Sequence, residues 1–195
     1  MRLIPFVLAA VLIAGCASLP KEEEGSLSGA PASAERVKHF ALSGRIAVRQ
    51  GEKGQYGNLR WERSVDGDEL TLLTPLGQTA AVLKQDTRGV SLTLGDRRYS
   101  AVDGEALTQQ VLGYTLPVNG LGYWILGQPS PDSPAEIERR PNGTAIKLAQ
   151  HGWQIDYPEY VAVTGTLVPK RVLLRRGDLD LKLVIDTWRL GAQEP

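Results

Sequence analysis

Short runs of alternating apolar and polar residues recur through most of the chain, separated by turn residues. In the first run Phe40, Leu42, Ile46 and Val48 are apolar, whereas small or polar residues lie between them. A period of two residues is typical of strands in a sheet with one apolar face. The pattern predicts a mainly β protein, an antiparallel meander of about eleven strands. The predicted strands cover residues 40–48, 56–63, 70–74, 79–84, 90–94, 98–102, 137–139, 144–148, 153–157, 172–175 and 179–188.

Two segments with helical patterns interrupt the strands midway. The first covers residues 104–112, where Asp103 can cap the helix and Gly113 can end it. The second covers residues 119–127 and is apolar over most of its circumference, so we do not expect it to lie against solvent. A third short helix is predicted over residues 33–39.

The apolar face of such a sheet must be covered. Because apolar helices are inserted between the strands, the simplest arrangement is an unclosed antiparallel β-barrel with the helices against its concave side. Glycines at the helix joints would let this lid fill the hollow loosely; they are Gly104, Gly113, Gly120, Gly122 and Gly127. The alternative is an ordinary, fully packed β core, and the pattern alone does not decide between them.

The balance of charges excludes one class of partner. The chain carries 22 basic and 22 acidic side chains, so its formal net charge is zero. Binding to nucleic acid would call for a basic surplus. The chain has no internal repeat, and we predict a single β domain over residues 35–190 that acts as a monomer.

The amino-terminal residues have the pattern of an export signal. Arg2 is followed by an apolar run over residues 3–13, which is too short to span a bilayer as a helix. Small residues then precede Cys16, the only cysteine, in an arrangement that resembles the lipobox of bacterial lipoproteins. We therefore predict a cleaved signal peptide over residues 1–15, acylation of Cys16, and a flexible tether over residues 16–34. The alternative is an ordinary secretory signal in which Cys16 is incidental.

One loop presents an aliphatic side chain where a polar one is usual. Pro75 can fix the first corner of a turn and Gly77 can follow it, which leaves Leu76 at the tip. Burying a leucine is worth about 1.5–3 kcal/mol, so an exposed leucine normally meets a partner or a membrane. The alternative is that Leu76 folds back onto the body of the protein.

The sequence gives little support to an enzyme. His39 and His151 are the only histidines, and no Gly-x-Ser-x-Gly motif or metal-ligand spacing accompanies them. Cys16 lies on the predicted tether, where no neighbouring group could activate it. We therefore expect no catalytic residue, no metal and no other cofactor.

Several features recur in an order and spacing that are more specific than any one of them. They are Cys16, residues 40–45, Trp61, residues 72–77, residues 116–127, Gly152, Trp153, Tyr157, Tyr160 and residues 181–188. Taken together, they resemble the LolB family of outer-membrane lipoprotein receptors, and the resemblance spans nearly the whole chain after the predicted signal peptide.

The resemblance implies a fold and a function. The implied fold is an unclosed β-barrel with helices as a lid over an apolar cavity, as in LolA- and LolB-like proteins. The implied function is to accept acylated lipoproteins from the periplasmic carrier LolA and to insert them into the outer membrane. In that family the leucine of the Pro-Leu-Gly loop delivers cargo, and Leu76 occupies its position. Cys16 matches the lipid-bearing cysteine of the family. The next residue is Ala17, whereas an aspartate at that position retains lipoproteins in the inner membrane. The periplasmic face of the outer membrane is therefore the expected location.

The family's motifs do not identify individual cavity residues, so the apolar pattern is the only guide to them. Transfer of a methylene out of water gains about 0.8 kcal/mol, so acyl chains should move from one apolar cavity to the next. The residues predicted to line the cavity are Trp61, Leu72, Leu92, Leu107, Leu121, Trp124, Ile125 and Leu183. The alternative function is a structural or scaffold lipoprotein of the cell envelope, whose interior would be packed throughout.

Overall fold

The structure is a computed structural model that describes residues 28–191, so the predicted signal peptide and most of the predicted tether lie outside the described residues. Within this range the chain forms twelve strands and two helices. The strands are β1 (Ala30–Pro31), β2 (Phe40–Gln50), β3 (Lys53–Ser64), β4 (Gly67–Leu73), β5 (Thr79–Asp86), β6 (Gly89–Leu94), β7 (Arg97–Ala101), β8 (Glu136–Arg139), β9 (Ala145–Gln150), β10 (Trp153–Val163), β11 (Thr166–Arg176) and β12 (Leu179–Leu190). The helices are α1 (Gly104–Leu112) and α2 (Val118–Trp124). No helix between residues 28 and 191 is long and apolar enough to cross a membrane.

The strands form one unclosed sheet, as predicted. Its order is β7-β6-β5-β4-β3-β2-β12-β11-β10-β9-β8, and neighbours along this order run antiparallel. The edge strands β7 and β8 do not pair with each other, so the barrel stays open. The short strand β1 adds a parallel pairing to β11. In the chain both helices lie between the two edge strands.

The structure contains each of the eleven predicted strands, and most of them are longer than predicted. The difference is largest for β10 and β11, which also include Pro158 and Pro169. Pro158 lies in an irregular stretch where the register between the two strands shifts, a position where a missing N–H group costs little. The strands then meet in a tight turn at Thr164 and Gly165, whose φ angles are 46° and 75°.

Two predictions about local structure are wrong. Residues 33–39 form a single turn rather than a helix, in which the N–H groups of Arg36 and Val37 donate to Ser33 O over 3.1 and 2.8 Å. A single turn forms too few hydrogen bonds to offset the cost of helix nucleation, so no helix precedes β2. The second helix ends at Trp124 instead of continuing to Gly127, which adopts a positive φ of 72° in the turn that follows.

The core consists of two clusters that share their borders. The larger one is rich in aromatic rings: Phe40 packs edge-on against Trp61 and Trp188, with ring centroids 5.5 and 5.4 Å apart. The smaller one lies between α1 and the strands β5 and β6, and it contains Ala81, Leu83, Val90, Leu92, Leu107 and Val118. Half-buried Leu70, Leu72 and Leu116 contact both clusters, so the interior is continuous.

Candidate functional site

The loop between β4 and β5 holds Leu76 away from the body of the protein. The N–H of Gly77 donates to Thr74 O, and the N–H of Thr74 donates to Gln78 O, each over 2.8 Å. This is a tight turn with Leu76 at its tip, followed by Gly77 with a φ of 83°, a conformation that glycine adopts without strain. Leu76 is 90% exposed. The leucine therefore does not fold back onto the protein.

An apolar pocket lies at the base of this loop. Its volume is about 420 Å³, and its lining includes Ile46, Val48, Tyr56, Leu72, Pro75 and Tyr114. Pro75 belongs both to the pocket wall and to the loop, so apolar surface runs from the pocket to Leu76. Tyr56 also lines the pocket and is 77% exposed. Together Tyr56 and Leu76 place large, solvent-exposed side chains at the pocket mouth.

A larger groove, at the turn between β3 and β4, is lined by charged residues. Its volume is about 510 Å³, and charged side chains such as Glu62, Lys84 and Asp86 line it. Ionised groups keep water around them, so this groove does not suit a hydrocarbon chain. The smaller apolar pocket is therefore the better candidate for a lipid.

Helix α1 fixes the position of Tyr114 at the pocket. Asp103 Oδ1 caps the helix by accepting hydrogen bonds from the N–H groups of Glu105 and Ala106 over 2.9 and 3.2 Å. The fully buried Thr108 donates its hydroxyl to Glu105 O and accepts from the N–H of Leu116, both over 3.0 Å. The hydroxyl thereby folds the chain after α1 back against the helix. As predicted, α1 covers Gly104–Leu112 and is capped by Asp103.

An arginine joins the other helix to the barrel. Arg63 Nη1 donates to the carbonyl oxygen of Gly122 in α2 over 2.8 Å. The rest of its guanidinium forms a two-pronged pair with Asp68, over 2.8 and 2.7 Å, and Asp68 also accepts from Trp61 Nε1 over 2.7 Å. A side chain on Gly122 would collide with the Arg63 guanidinium, so glycine is required for this contact. Arg63 thus links β3 to α2 through this hydrogen bond, while its largely buried ion pair with Asp68 joins β3 to β4.

Helix α2 also forms hydrogen bonds with strands β9 and β10, which lie on the other side of β2 and β12 in the sheet. Trp124 Nε1 donates to Gln150 Oε1 of β9 over 2.8 Å. The hydroxyl of Tyr157 in β10 donates to Trp124 O over 2.9 Å. Burial raises the pKa of Tyr157 well above its usual value, so this hydroxyl keeps its proton at neutral pH. Helix α2 therefore bridges β3 and the β9–β10 hairpin.

The residues predicted to line a cavity all lie in the interior. Trp61, Trp124, Ile125 and Leu183 are buried in the larger cluster, Leu92 and Leu107 are buried in the smaller one, and Leu72 and Leu121 are half-buried. Of these eight, Leu72 borders the apolar pocket beneath the loop. Cys16, the predicted acylation site, lies outside the described residues.

Sequence patterns missed several residues of this site. Tyr56 and Tyr114 carry no motif, and only their tertiary placement brings them to the pocket. The position of Arg63 is visible in the sequence, because residue 63 lies on the same face of β3 as the apolar residues Leu59 and Trp61. A charge on the apolar face of a strand indicates a buried partner. The identity of that partner, Asp68 together with a helix carbonyl, does not follow from the pattern.

One trio of side chains resembles catalytic chemistry. His151 Nε2 lies 3.0 Å from Asp132 Oδ1 and 3.1 Å from Ser133 Oγ. Both contacts use the same ring nitrogen, whereas a serine nucleophile needs a histidine that meets the serine with one nitrogen and the carboxylate with the other. In the part of the chain that the structure covers, no group of three or more His, Cys, Asp or Glu side chains could hold a metal ion.

Known proteins share both the sequence and the fold. Residues 38–188 match the family described as outer membrane lipoprotein LolB. The chain is 35% identical over 186 residues to the outer-membrane lipoprotein LolB of Azoarcus sp., covering 94% of this chain and 92% of that protein. It is 36% identical over 186 residues to the LolB of Pseudomonas fluorescens, covering 91% of each.

A solved structure supports the same architecture. A DUF1329 family protein from Desulfovibrio piger superposes with a TM-score of 0.52 over 83% of this chain and 89% of that chain. The two are 9% identical in sequence, so this likeness concerns the fold alone. With a family match over residues 38–188 and curated relatives above 30% identity over most of its length, the chain belongs to the LolB family of outer-membrane lipoproteins.

Proposed function

We propose that the protein is a receptor anchored in the outer membrane that accepts acylated lipoproteins from a periplasmic carrier of the LolA type and inserts them into that membrane. One observation carries the proposal: an apolar pocket of about 420 Å³ opens beside a loop whose leucine is 90% exposed. Family membership supports it, since the relatives are named outer-membrane lipoproteins. Cys16 would carry the lipid anchor, and residues 16–34 would join it to the domain.

The energy of acyl chains in water explains why a pocket and an exposed leucine belong together. Exposing a chain of about fifteen methylenes costs on the order of 12 kcal/mol, so cargo needs apolar surface at every step. In this protein the chain would enter the pocket lined by Ile46, Leu72 and Tyr114, then leave past Pro75 and Leu76 into the bilayer. The bilayer is the final sink, and differences in affinity give the transfer its direction.

Space for more than one chain requires helix α2 to move. Leu121 and Trp124 of this helix now belong to the same packed interior cluster as Trp61 of β3, which is also predicted to line the cavity. Release of Gly122 from Arg63 would free the β3 side of α2, while the contacts of Trp124 with Gln150 and Tyr157 remain. The helix would then act as a lid that opens on one side. No catalytic step, metal or other cofactor enters this account.

The alternative of a scaffold lipoprotein has weaker support. A scaffold would recruit partners through exposed strand edges, but the edge strand β8 has only four residues and carries Glu136, Glu138 and Arg139. Short, charged edges oppose strand addition. A scaffold function also does not explain why the exposed Leu76 lies beside an apolar pocket.

A handover assay tests the proposal. Cargo-loaded carrier is incubated with the protein and liposomes, and cargo is measured separately on the protein and in the bilayer. We expect Leu76→Glu to accept cargo normally but to insert it at least tenfold more slowly, because a charge resists entry into hydrocarbon at a cost of about 2.5–3.5 kcal/mol. Val102→Glu is the matched control, since Val102 is also 90% exposed but lies away from the pocket mouth. Failure of the unaltered protein to take up cargo would refute the proposal.

A further inference from the structure

Two rows of register partners divide the outer face of strands β3–β7 by charge. The row nearer the Leu76 loop, here called the loop-side row, consists of Arg60, Thr71, Val82, Thr93 and Arg98. The next row toward the opposite end of the sheet consists of Glu62, Glu69, Lys84, Ser91 and Ser100. Both rows face outward, because the residues that alternate with them, such as Trp61 and Leu83, are buried in the core. The carboxylates of these two rows therefore all lie in the row farther from the loop, and the loop-side row has an arginine at each end.

The basic residues near the loop lack the partners that basic residues at the opposite end possess. At the opposite end of β3–β6 each basic side chain forms a salt bridge with a carboxylate, as Lys84 does with Glu69. Near the loop, Arg60, Arg97 and Arg98 are exposed. Among residues 28–191, no carboxylate oxygen lies within 4.0 Å of their guanidinium nitrogens. These three charges are therefore available to a ligand.

Few negative charges oppose these arginines. Two exposed carboxylates lie in the neighbouring turns: Asp96 precedes Arg97, and Glu52 precedes the exposed Lys53. Arg98 donates to the neutral hydroxyl of Ser91 over 3.3 Å, which leaves its charge uncompensated. Residues 74–79, which form the loop and its base, carry no charge. Positive charges thus outnumber negative ones at this end of β3–β7.

The Leu76 loop projects between the arginines. The loop joins β4 to β5, which both lie between Arg60 on β3 and Arg98 on β7. Four strand spacings separate these two residues, or about 19 Å. Arg97 is in line with Leu72 through the pairings of Leu94 and Ala81, so it lies about three residues, or 10 Å, behind the tip of the loop.

An exposed tyrosine lies at the same height as the loop tip. Tyr56, which is 77% exposed, lies on β3 two residues beyond Asn58, the register partner of Leu73. The surface therefore combines an exposed leucine, an exposed tyrosine and unpaired arginines. Tyrosine and basic residues are the side chains that proteins place at the boundary between hydrocarbon and water. A purely polar, acidic partner would give no reason for the leucine and the tyrosine.

We propose that this end of the sheet is a docking surface for the phosphate groups of anionic lipids, which Arg60, Arg97 and Arg98 bind while Leu76 enters the hydrocarbon. This inference rests on the proposed function. The headgroup layer on each side of a bilayer is about 5–7 Å thick. Guanidinium groups about 10 Å behind the tip would therefore reach it on their long side chains. The planar guanidinium can bind a phosphate through two parallel hydrogen bonds.

Loop docking is measured on the full-length lipidated protein in vesicles, without cargo. A fluorophore on Gln78→Cys lies beside Leu76 at an exposed residue, and brominated lipids quench it when the loop touches the bilayer. The triple variant Arg60→Gln, Arg97→Gln, Arg98→Gln should reduce docking at least about tenfold on vesicles that contain phosphatidylglycerol, since each basic residue at an anionic surface strengthens attachment about fivefold. On vesicles of phosphatidylcholine alone the two proteins should differ little. Raising the salt concentration to about 1 M should remove the difference, because it shortens the Debye length to about 3 Å.

Two controls separate this surface from a general effect of charge. Replacement of the same three arginines by lysine keeps the charge and should preserve most of the docking. The triple variant Lys38→Gln, Lys147→Gln, Arg189→Gln removes the same charge from exposed residues on other strands, and it should dock normally. Inorganic phosphate at millimolar concentration should not release the loop, because a free anion offers no hydrocarbon to Leu76.

The handover assay distinguishes the possible failures. With vesicles that contain phosphatidylglycerol, we expect the arginine-to-glutamine variant to accept cargo from the carrier normally and to insert it more slowly. Normal docking and insertion by this variant would overturn the proposal. Normal docking with impaired acceptance would also overturn it, because the arginines would then serve an acidic surface of the carrier. If the unaltered protein accepts no cargo, the proposed function itself fails, whereas the docking measurement stands without it.

Discussion

The two sides of the barrel fill its interior differently. On the packed side, formed by β9–β12, large side chains such as Trp153, Ile155, Tyr157 and Leu174 are at most 1% exposed. On the open side, formed mainly by β3–β7 with α1, the buried cluster is small and an apolar pocket of about 420 Å³ remains beside the Leu76 loop. The packed side is therefore the rigid part of the barrel, and the open side is the part with room for a ligand.

Helix α2 is held differently by these two sides. On the packed side, buried Trp124 forms hydrogen bonds with Gln150 and Tyr157 inside the larger cluster. On the open side, the hydrogen bond from Arg63 to the Gly122 carbonyl is the contact that links the helix to β3. Gln85 Nε2 of β5 also donates to Asn119 Oδ1 of α2 over 3.0 Å, at an exposed site. Since a hydrogen bond of this kind contributes about 1 kcal/mol net, opening should begin on the open side, with the packed side acting as the hinge.

The largest expected effect contrasts leucine truncations on the two sides. Leu174→Ala should lower the free energy of unfolding by about 3–4 kcal/mol, because the packed side leaves a cavity that cannot collapse. Leu72→Ala should cost only about 1–2 kcal/mol, because Leu72 already borders a pocket. Urea denaturation of both variants measures the difference. Equal losses would remove the distinction between a packed and an open side.

The next effect concerns the link between Arg63 and α2. Arg63→Met should lower the free energy of unfolding by about 2–3 kcal/mol, because Asp68 stays largely buried without its partner. It should also tighten binding of a fluorescent fatty acid up to about fivefold, because the closed lid loses about 1 kcal/mol of stabilisation.

Arg88→Met serves as the control for that substitution. The pair of Arg88 with Asp86 is exposed, so neither stability nor probe affinity should change measurably. Titration calorimetry or fluorescence anisotropy gives the affinities. Unchanged or weaker probe binding by Arg63→Met would show that this contact does not hold the lid closed.

A smaller effect, at high pH, involves Tyr160 on the packed side. Burial raises the pKa of Tyr160 to about 12 from the usual 10. Between these values the unfolded chain has lost the phenol proton while the folded chain keeps it, so the free energy of unfolding should fall as pH rises from 10 to 12. Tyr160→Phe should flatten that fall. A pH profile of Tyr160→Phe identical to that of the unaltered protein would contradict the assignment.

Local signals in the sequence predicted most of the fold. Alternation located eleven strands, and Asp103 with Gly113 fixed α1, because these signals depend on neighbouring residues. β1 was missed because two residues that pair only through their backbone leave no periodic pattern. The continuation of β10 past Pro158 was missed because a register shift there tolerates proline.

The candidate site was only partly predictable. The turn at the loop tip followed from Pro75 and Gly77, whose turn chemistry is local, whereas the exposure of Leu76 was decided only by the structure. The pocket did not, because residues far apart in the chain, such as Ile46 and Tyr114, form it together. Positions on an apolar face could be predicted as interior, but the remaining free space depends on how the helices settle across the sheet.

The most direct test of the central claim follows the acyl chain itself. A cargo lipoprotein with a photoreactive acyl chain is handed over by its carrier, irradiated, and mapped on this protein by mass spectrometry. We expect crosslinks at Ile46, Leu72 and Tyr114, which line the pocket beneath the loop. Crosslinks confined to the outer face of the sheet, or none at all after efficient handover, would contradict the account.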